Sequence, residues 1–133
     1  MENRIHSNKW TGIWIASHSD PTITRNKIRG NQQAGVYIYD NGQGVLEENE
    51  IFDNAMDGVV IMYSFLKNTK CKPSCHRKGS NPTLTRNKIR GNQWDGVFIH
   101  DNGQGVLEEN EIFDNRNGNL VKETVAKEGC LIH

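Results

Sequence analysis

The chain has 133 residues, with 16 basic and 16 acidic side chains that cancel to a formal net charge of zero at pH 7. That balance leaves no long basic stripe for a nucleic acid, and no run of 18 apolar residues is present to cross a membrane. The length suits one domain, residues 1–133, and three cysteines, Cys71, Cys75 and Cys130, do not make a disulfide framework.

The opening MENRIHSNKW lacks the apolar run of a secretory signal, so an intracellular location, cytoplasmic or nuclear, is expected. At Asn3 a pattern begins, Asn-x-Ile-x-x-Asn, that starts again at Asn26, Asn49, Asn87 and Asn110, in steps of 23, 23, 38 and 23 residues. Gly12, Gly35, Gly58 and Gly96 keep the same beat, and Gly118 follows at 22. Pro21 to Asn54 returns as Pro82 to Asn115 with changes at only five of 34 positions. Periods of this size signal a solenoid.

Each unit reads Gly-(Val/Ile)-x-Ile-x, a turn, then x-(Leu/Ile)-x-x-Asn-x-Ile-x-x-Asn. The apolar residues alternate in runs too short and too β-branched for helices, with Gly, Asn and Asp between them. The Leu-x-x-Leu-x-Leu framework of a leucine-rich repeat is missing. The expectation is an all-β fold: a parallel β-helix of about five 23-residue coils, right-handed by the rule for parallel crossovers.

Stacking converts equivalent positions into columns about 4.8 Å apart per rung. The predicted inward columns are Ile13, Val36, Val59, Val97; Ile15, Ile38, Ile61, Ile99; Ile23, Leu46, Leu84, Leu107; and Ile5, Ile28, Ile51, Ile89, Ile112. The column from Asn3 to Asn110 is expected at a bend, as a ladder of stacked amides. Flanking it, Arg25, Glu48, Arg86, Glu109 and Arg4, Lys27, Glu50, Lys88, Glu111 alternate in sign over most of their length. Such pairs are worth only about 0.2–1 kcal/mol each, so they specify register more than they stabilise.

In the glycine-led strand the outward positions are Trp14, Tyr37, Val60 and Phe98, flanked by Ala16, Tyr39, Met62 and His100, with Trp10, Met56 and Trp94 near the edge. A face of this kind marks an interaction site in a soluble protein. A second column, Arg29, Phe52, Arg90, Phe113, alternates guanidinium with phenyl, as cation–π stacking requires.

The odd step of 38 contains an insertion, residues 63–78, with Lys67, Lys70, Lys72, Arg77 and Lys78 and no acid. It is expected beside the aromatic face, where it can help hold an acidic partner. Cys71, Cys75 and His76 in it invite a zinc reading, but no second ligand pair follows, so a loop disulfide or a plain solvated loop competes with it. No cofactor is expected. Two acids, Asp40 and Asp101, open Asp-Asn-Gly-Gln turns two coils apart, about 9–10 Å by the stacking geometry, near the upper limit for an inverting glycosidase pair. Ordinary turn chemistry accounts for both equally well.

The terminal segment 117–133 is expected to cap the stack: Asn117 would begin a helix, Leu120 to Glu128, that Gly129 ends. At the other terminus the pattern starts in mid-coil, which leaves an open edge through which two copies could associate.

NPTLTRNKI, DNGQGVLEENEIFDN and GVxI resemble the parallel β-helix repeats of the carbohydrate-binding and sugar-hydrolysis type, and in particular those of the F-box only protein eleven kind; NLVKETVAKEGCLIH resembles the segment closing that family's β-helix. The resemblance implies a substrate-recruiting domain of a ubiquitin ligase, without catalysis of its own. No F-box or zinc-finger segment is present here, so only the binding role is carried over. The leading expectation is a non-enzymatic module that binds a protein or peptide through Trp14, Tyr37, Tyr39, Met62, Phe98 and His100 with Lys67, Lys70, Lys72 and Arg77. The alternative is a polysaccharide-binding or polysaccharide-degrading protein, a lyase or glycoside hydrolase, using the same face.

Overall fold

A computed structural model describes residues 3–62, 80–100 and 103–123. Its strands fall into three parallel sheets. The first contains β1 (Arg4–His6), β4 (Lys27–Arg29), β7 (Glu50–Phe52), β10 (Lys88–Arg90) and β13 (Glu111–Phe113). The second contains β2 (Ile13–Ile15), β5 (Val36–Ile38), β8 (Val59–Met62), β11 (Asp95–His100) and β14 (Gly118–Glu123). The third contains β3 (Thr22–Thr24), β6 (Val45–Glu47), β9 (Thr83–Thr85) and β12 (Val106–Glu108). The chain visits the sheets in turn and makes about four turns of a β-solenoid.

Register follows the sequence period. Ile5 pairs with Ile28, Ile28 with Ile51, Ile51 with Ile89 and Ile89 with Ile112. The four predicted inward columns form one core cluster: Ile28, Val36, Ile38, Leu46, Ile51, Val59, Ile61, Leu84, Ile89 and Val97 are fully buried, and Ile5, Ile13, Ile23, Leu107 and Ile112 close it at the two ends. A slip of one residue would turn every one of these side chains outward, so the core sets the register strongly.

Strands of three residues imply sharp corners, and left-handed residues supply them. Between the third and first sheets stand Arg25, Glu48, Arg86 and Glu109, at φ from 54° to 57°; between the first and second stand Ser7, Gly30, Asp53, Gly91 and Asp114. A side chain in this region costs about 1–2 kcal/mol, so something must hold each corner. The predicted asparagine ladder holds the first: Asn26 N–H donates to Asn49 Oδ1 at 2.9 Å, Asn49 N–H to Asn87 Oδ1 at 2.9 Å and Asn87 N–H to Asn110 Oδ1 at 2.9 Å. A second ladder, through Asn8, Asn31, Asn54, Asn92 and Asn115, holds the other. These are the closing asparagines of the Asn-x-Ile-x-x-Asn motif, whose ladder role the sequence analysis passed over.

The glycine beat has a separate cause. A Cβ on Gly58 would lie 2.7 Å from Gly96 O and 2.7 Å from Ile89 Cγ2, so close approach between rungs excludes any side chain there.

The structure corrects the C-terminal expectation. Gly118–Glu123 is strand β14, in register with β11 from Asp95↔Gly118 to His100↔Glu123, and not the start of a helix. An open parallel edge pairs the backbone groups of the segment that face it, which outweighs the local helix preference of a few residues. The rest of the expected helix, 124–128, lies outside the described residues. Five complete coils are not found either, because the last turn contributes β13 and β14 but no third-sheet strand among the described residues.

Candidate functional site

The outward row of the second sheet carries the rings. Register brings Trp14 beside Tyr37, Tyr37 beside Val60, and Val60 beside Phe98. Trp14, Tyr37 and Tyr39 form a three-ring cluster, with centroids 6.1 Å apart for Trp14 and Tyr37, 5.7 Å for Trp14 and Tyr39, and 5.6 Å for the two tyrosines. The last two contacts are edge-to-face, the arrangement the ring quadrupoles favour. Phe98 and His100 stack at 4.5 Å, and Tyr37 Oη donates to Met62 Sδ at 3.1 Å.

Exposure is uneven along this row. Trp14 is 52% exposed, Tyr37, Tyr39, Phe98 and His100 are half-buried, and Val60 and Met62 are buried. All four residues of β8 are therefore buried, on both faces of the strand. Met62 supports the tyrosine ring and offers little surface to a partner.

Trp10, 67% exposed, stands near the edge of this face. With Thr11, Gly12 and Trp14 it lines an open cleft of about 630 Å³. Its two exposed indoles give the cleft an apolar lining that suits a flat, partly apolar group. Other rungs place Gln33 with Tyr37, Met56 with Val60 and Trp94 with Phe98 at these positions. Only the first rung carries two tryptophans there. The edge position of Trp10 follows from the repeat but the cleft does not; its signal in the sequence is the pair of tryptophans, 10 and 14, on the first rung.

The remaining candidates are placed as follows. Asp40 is exposed, has φ 54°, and accepts a hydrogen bond from Ser17 Oγ at 3.3 Å. Its repeat counterpart Asp101 lies outside the described residues, as do Lys67, Lys70, Lys72, Arg77, Cys71, Cys75 and His76. Among the described residues no three His, Cys, Asp or Glu side chains gather as a metal ion would require. Arg90 sits 4.5 Å over the Phe52 ring, as the alternating guanidinium and phenyl column anticipated.

One buried acidic pair was not anticipated. Asp57 and Asp95 occupy adjacent rungs just before beat glycines, both buried, and Asp95 N–H donates to Asp57 Oδ1 at 2.8 Å. Asn117 Nδ2 donates to Asp95 Oδ1 at 3.0 Å. Burial, with the nearby Asp95 charge adding to it, pushes the Asp57 carboxyl up from 3.8 to about 6, although the Asp95 N–H opposes the shift.

A family model described as a right-handed β-helix region matches residues 1–132. Among solved structures, the periplasmic alginate epimerase AlgG is similar at 20% identity and a TM-score of 0.75, over 98% of this chain and 28% of the enzyme. A double mutant of the same enzyme is similar at 22% identity and a TM-score of 0.75, over 93% of this chain and 26% of the other. The chain thus spans about a quarter of the length of these structures, and at such identity the likeness shows the fold. No curated protein sequence matches the chain. Nothing in these comparisons links it to F-box proteins.

Proposed function

The chain belongs to the right-handed β-helix family, and from that premise we propose that it is a polysaccharide-binding module whose second sheet carries the binding face. The observation that supports this reading best is the run of exposed indoles and packed phenols on and beside the second sheet: Trp10, Trp14, Tyr37 and Tyr39. A pyranose ring has an apolar face of C–H groups and an equatorial rim of hydroxyls. Indole and phenol rings cover the first, while the exposed Ser17 and Asp40 groups suit the second. A sheet rung advances about 4.8 Å, close to one sugar unit of an extended chain, so successive sugars can meet successive rungs. The fold likeness to an enzyme that acts on alginate, a polysaccharide, supports the same reading over the peptide-binding expectation.

No reaction is assigned to this chain. Asp40 accepts from Ser17, and Asp101, the second carboxyl that an acid and base pair would need, lies outside the described residues.

The test is binding to a panel of immobilised neutral and acidic polysaccharides. Trp10→Ala removes a side chain that is 67% exposed, so its thermal transition should stay within about 2 °C of the parent, whereas Trp14→Ala also loses its ring contacts with Tyr37 and Tyr39 and should unfold about 2–6 °C lower. Each substitution should weaken binding on the order of tenfold, from about 1–2 kcal/mol of lost ring contact. Undiminished binding by the double variant would remove the aromatic face from consideration. Capture of peptides with no affinity for any glycan would favour the protein-recognition alternative.

A further inference from the structure

The corner between the third and first sheets carries a groove of about 660 Å³, lined among the described residues by Arg, Lys, Glu and Asn. It lies away from the aromatic face, and its charge is uneven. Arg86 is engaged by three carboxylates, Glu47, Glu48 and Glu109, and Lys88 pairs with Glu111 at 3.9 Å. Toward the first rung the balance changes. Arg25 reaches Glu48 at 3.4 Å, the same carboxylate that Arg86 uses, and Lys27 reaches Glu50 at 3.7 Å. Arg4 makes no ion pair among the described residues, and it is in register with Lys27.

Arg4 over Lys27 is the one step where the sign alternation of this column breaks. Like charges directly opposite on parallel rungs repel, and register places these two backbones about 4.8 Å apart. Here the side chains are exposed. Three cations share two carboxylates, one of them already divided with Arg86. Among the described residues, that end of the groove therefore holds more positive charge than negative.

We propose that Arg4, Arg25 and Lys27 form a binding site for the anionic groups of an acidic polysaccharide, carboxylates foremost. The groove's lining favours this partner over other polyanions. With no aromatic side chain in it, the groove offers no stacking platform for nucleobases. With no aliphatic one, it offers no anchor pocket for an acidic peptide. Guanidinium groups bind carboxylates in bidentate fashion, and Arg4 and Arg25 are both exposed at this end of the groove. The inference extends the polysaccharide reading to charged sugars but uses a different flank of the solenoid.

The experiment compares polygalacturonate oligomers with neutral oligomers of equal length, at low and high sodium chloride, with the parent protein, Arg4→Gln/Lys27→Gln and Trp14→Ala. The parent should prefer the acidic oligomer, and that preference should vanish in high salt. Arg4→Gln/Lys27→Gln should lose about tenfold of the acidic preference while its neutral binding stays at the parent level. Lys27→Arg, which keeps the charge, should retain the preference. An acidic preference that survives in Arg4→Gln/Lys27→Gln, or none in the parent, overturns the groove. Trp14→Ala separates the two readings, since it should weaken neutral binding and leave the acidic preference in place. If it removes that preference instead, the charged sugar is read on the aromatic face and this inference fails while that one stands.

Discussion

Asn54→Ala is expected to destabilise the protein by roughly 3–5 kcal/mol, a large share of the ~5–15 kcal/mol that holds a domain folded. Asn54 is fully buried in the second ladder. Its Oδ1 accepts from Asn31 N–H at 3.1 Å and from Asn31 Nδ2 at 2.9 Å. Its Nδ2 donates to Asn92 Oδ1 at 2.9 Å and to Ile28 O at 3.4 Å. Alanine removes all four side-chain bonds at once and leaves two buried donors of Asn31 without their acceptor, at about 1–3 kcal/mol for each unsatisfied group. It also releases the left-handed corner at Asp53 that the ladder helps hold. The same substitution at exposed Asn8, the first rung of that ladder, should cost under about 1 kcal/mol, because water replaces its lost partner. Urea denaturation of the two variants checks the contrast. Equal losses at positions 8 and 54 would show that burial in the ladder contributes nothing.

The second large effect is a dependence of stability on pH from Asp57. Its folded carboxyl titrates near 6 against an ordinary 3.8, so the folded chain holds this proton more tightly than the unfolded chain does. Below about 3.8 both states are protonated and Asp57 has no effect on stability. As pH rises toward 6 the unfolded chain loses the proton first, so stability falls through this window and stays low above it. The span is about 2 kcal/mol once screening by nearby solvent is allowed for. Asp57→Asn keeps an oxygen for the Asp95 N–H and cannot ionise. It should therefore raise stability at pH 7.5 by about that amount and flatten the slope between pH 4 and 6.5. Thermal unfolding at a series of pH values measures both. A variant that keeps the parent's slope would place the titrating group elsewhere.

The repeat made the core legible before any coordinates. Residues 23 apart, or 38 across the insertion, had to occupy equivalent positions, and the columns of Ile28, Ile51 and Ile89 or of Val36, Val59 and Val97 follow from that alone. The first asparagine ladder and the ion pairs of Arg25 with Glu48 and Lys27 with Glu50 were legible for the same reason. Where a position departs from the repeat, the sequence said less. Asp57 and Asp95 replace Thr11 and Ala34 of the same column, and nothing in their local sequence announces that both carboxyls face a low-dielectric interior. The helix expected at Leu120 failed on similar grounds. Local preference pointed one way, and the edge of β11, which only the assembled stack provides, pointed the other.

The surface divides in the same manner. The outward direction of Trp14, Tyr37 and Phe98 follows from strand alternation, but their packing does not. Val60 and Met62 share that row and are nevertheless buried, whereas Trp10 and Trp14, the two indoles of the first rung, line an open cleft.

Sequence by itself determined the period, the register and the identity of the inward residues, because a repeated chain buries equivalent groups at equivalent places. Tertiary structure alone decided which outward groups meet water, which carboxyl has its proton affinity raised and which strand ends the described stack. Those outcomes depend on neighbours brought together from rungs 22 to 38 residues away, and no local stretch of sequence encodes them.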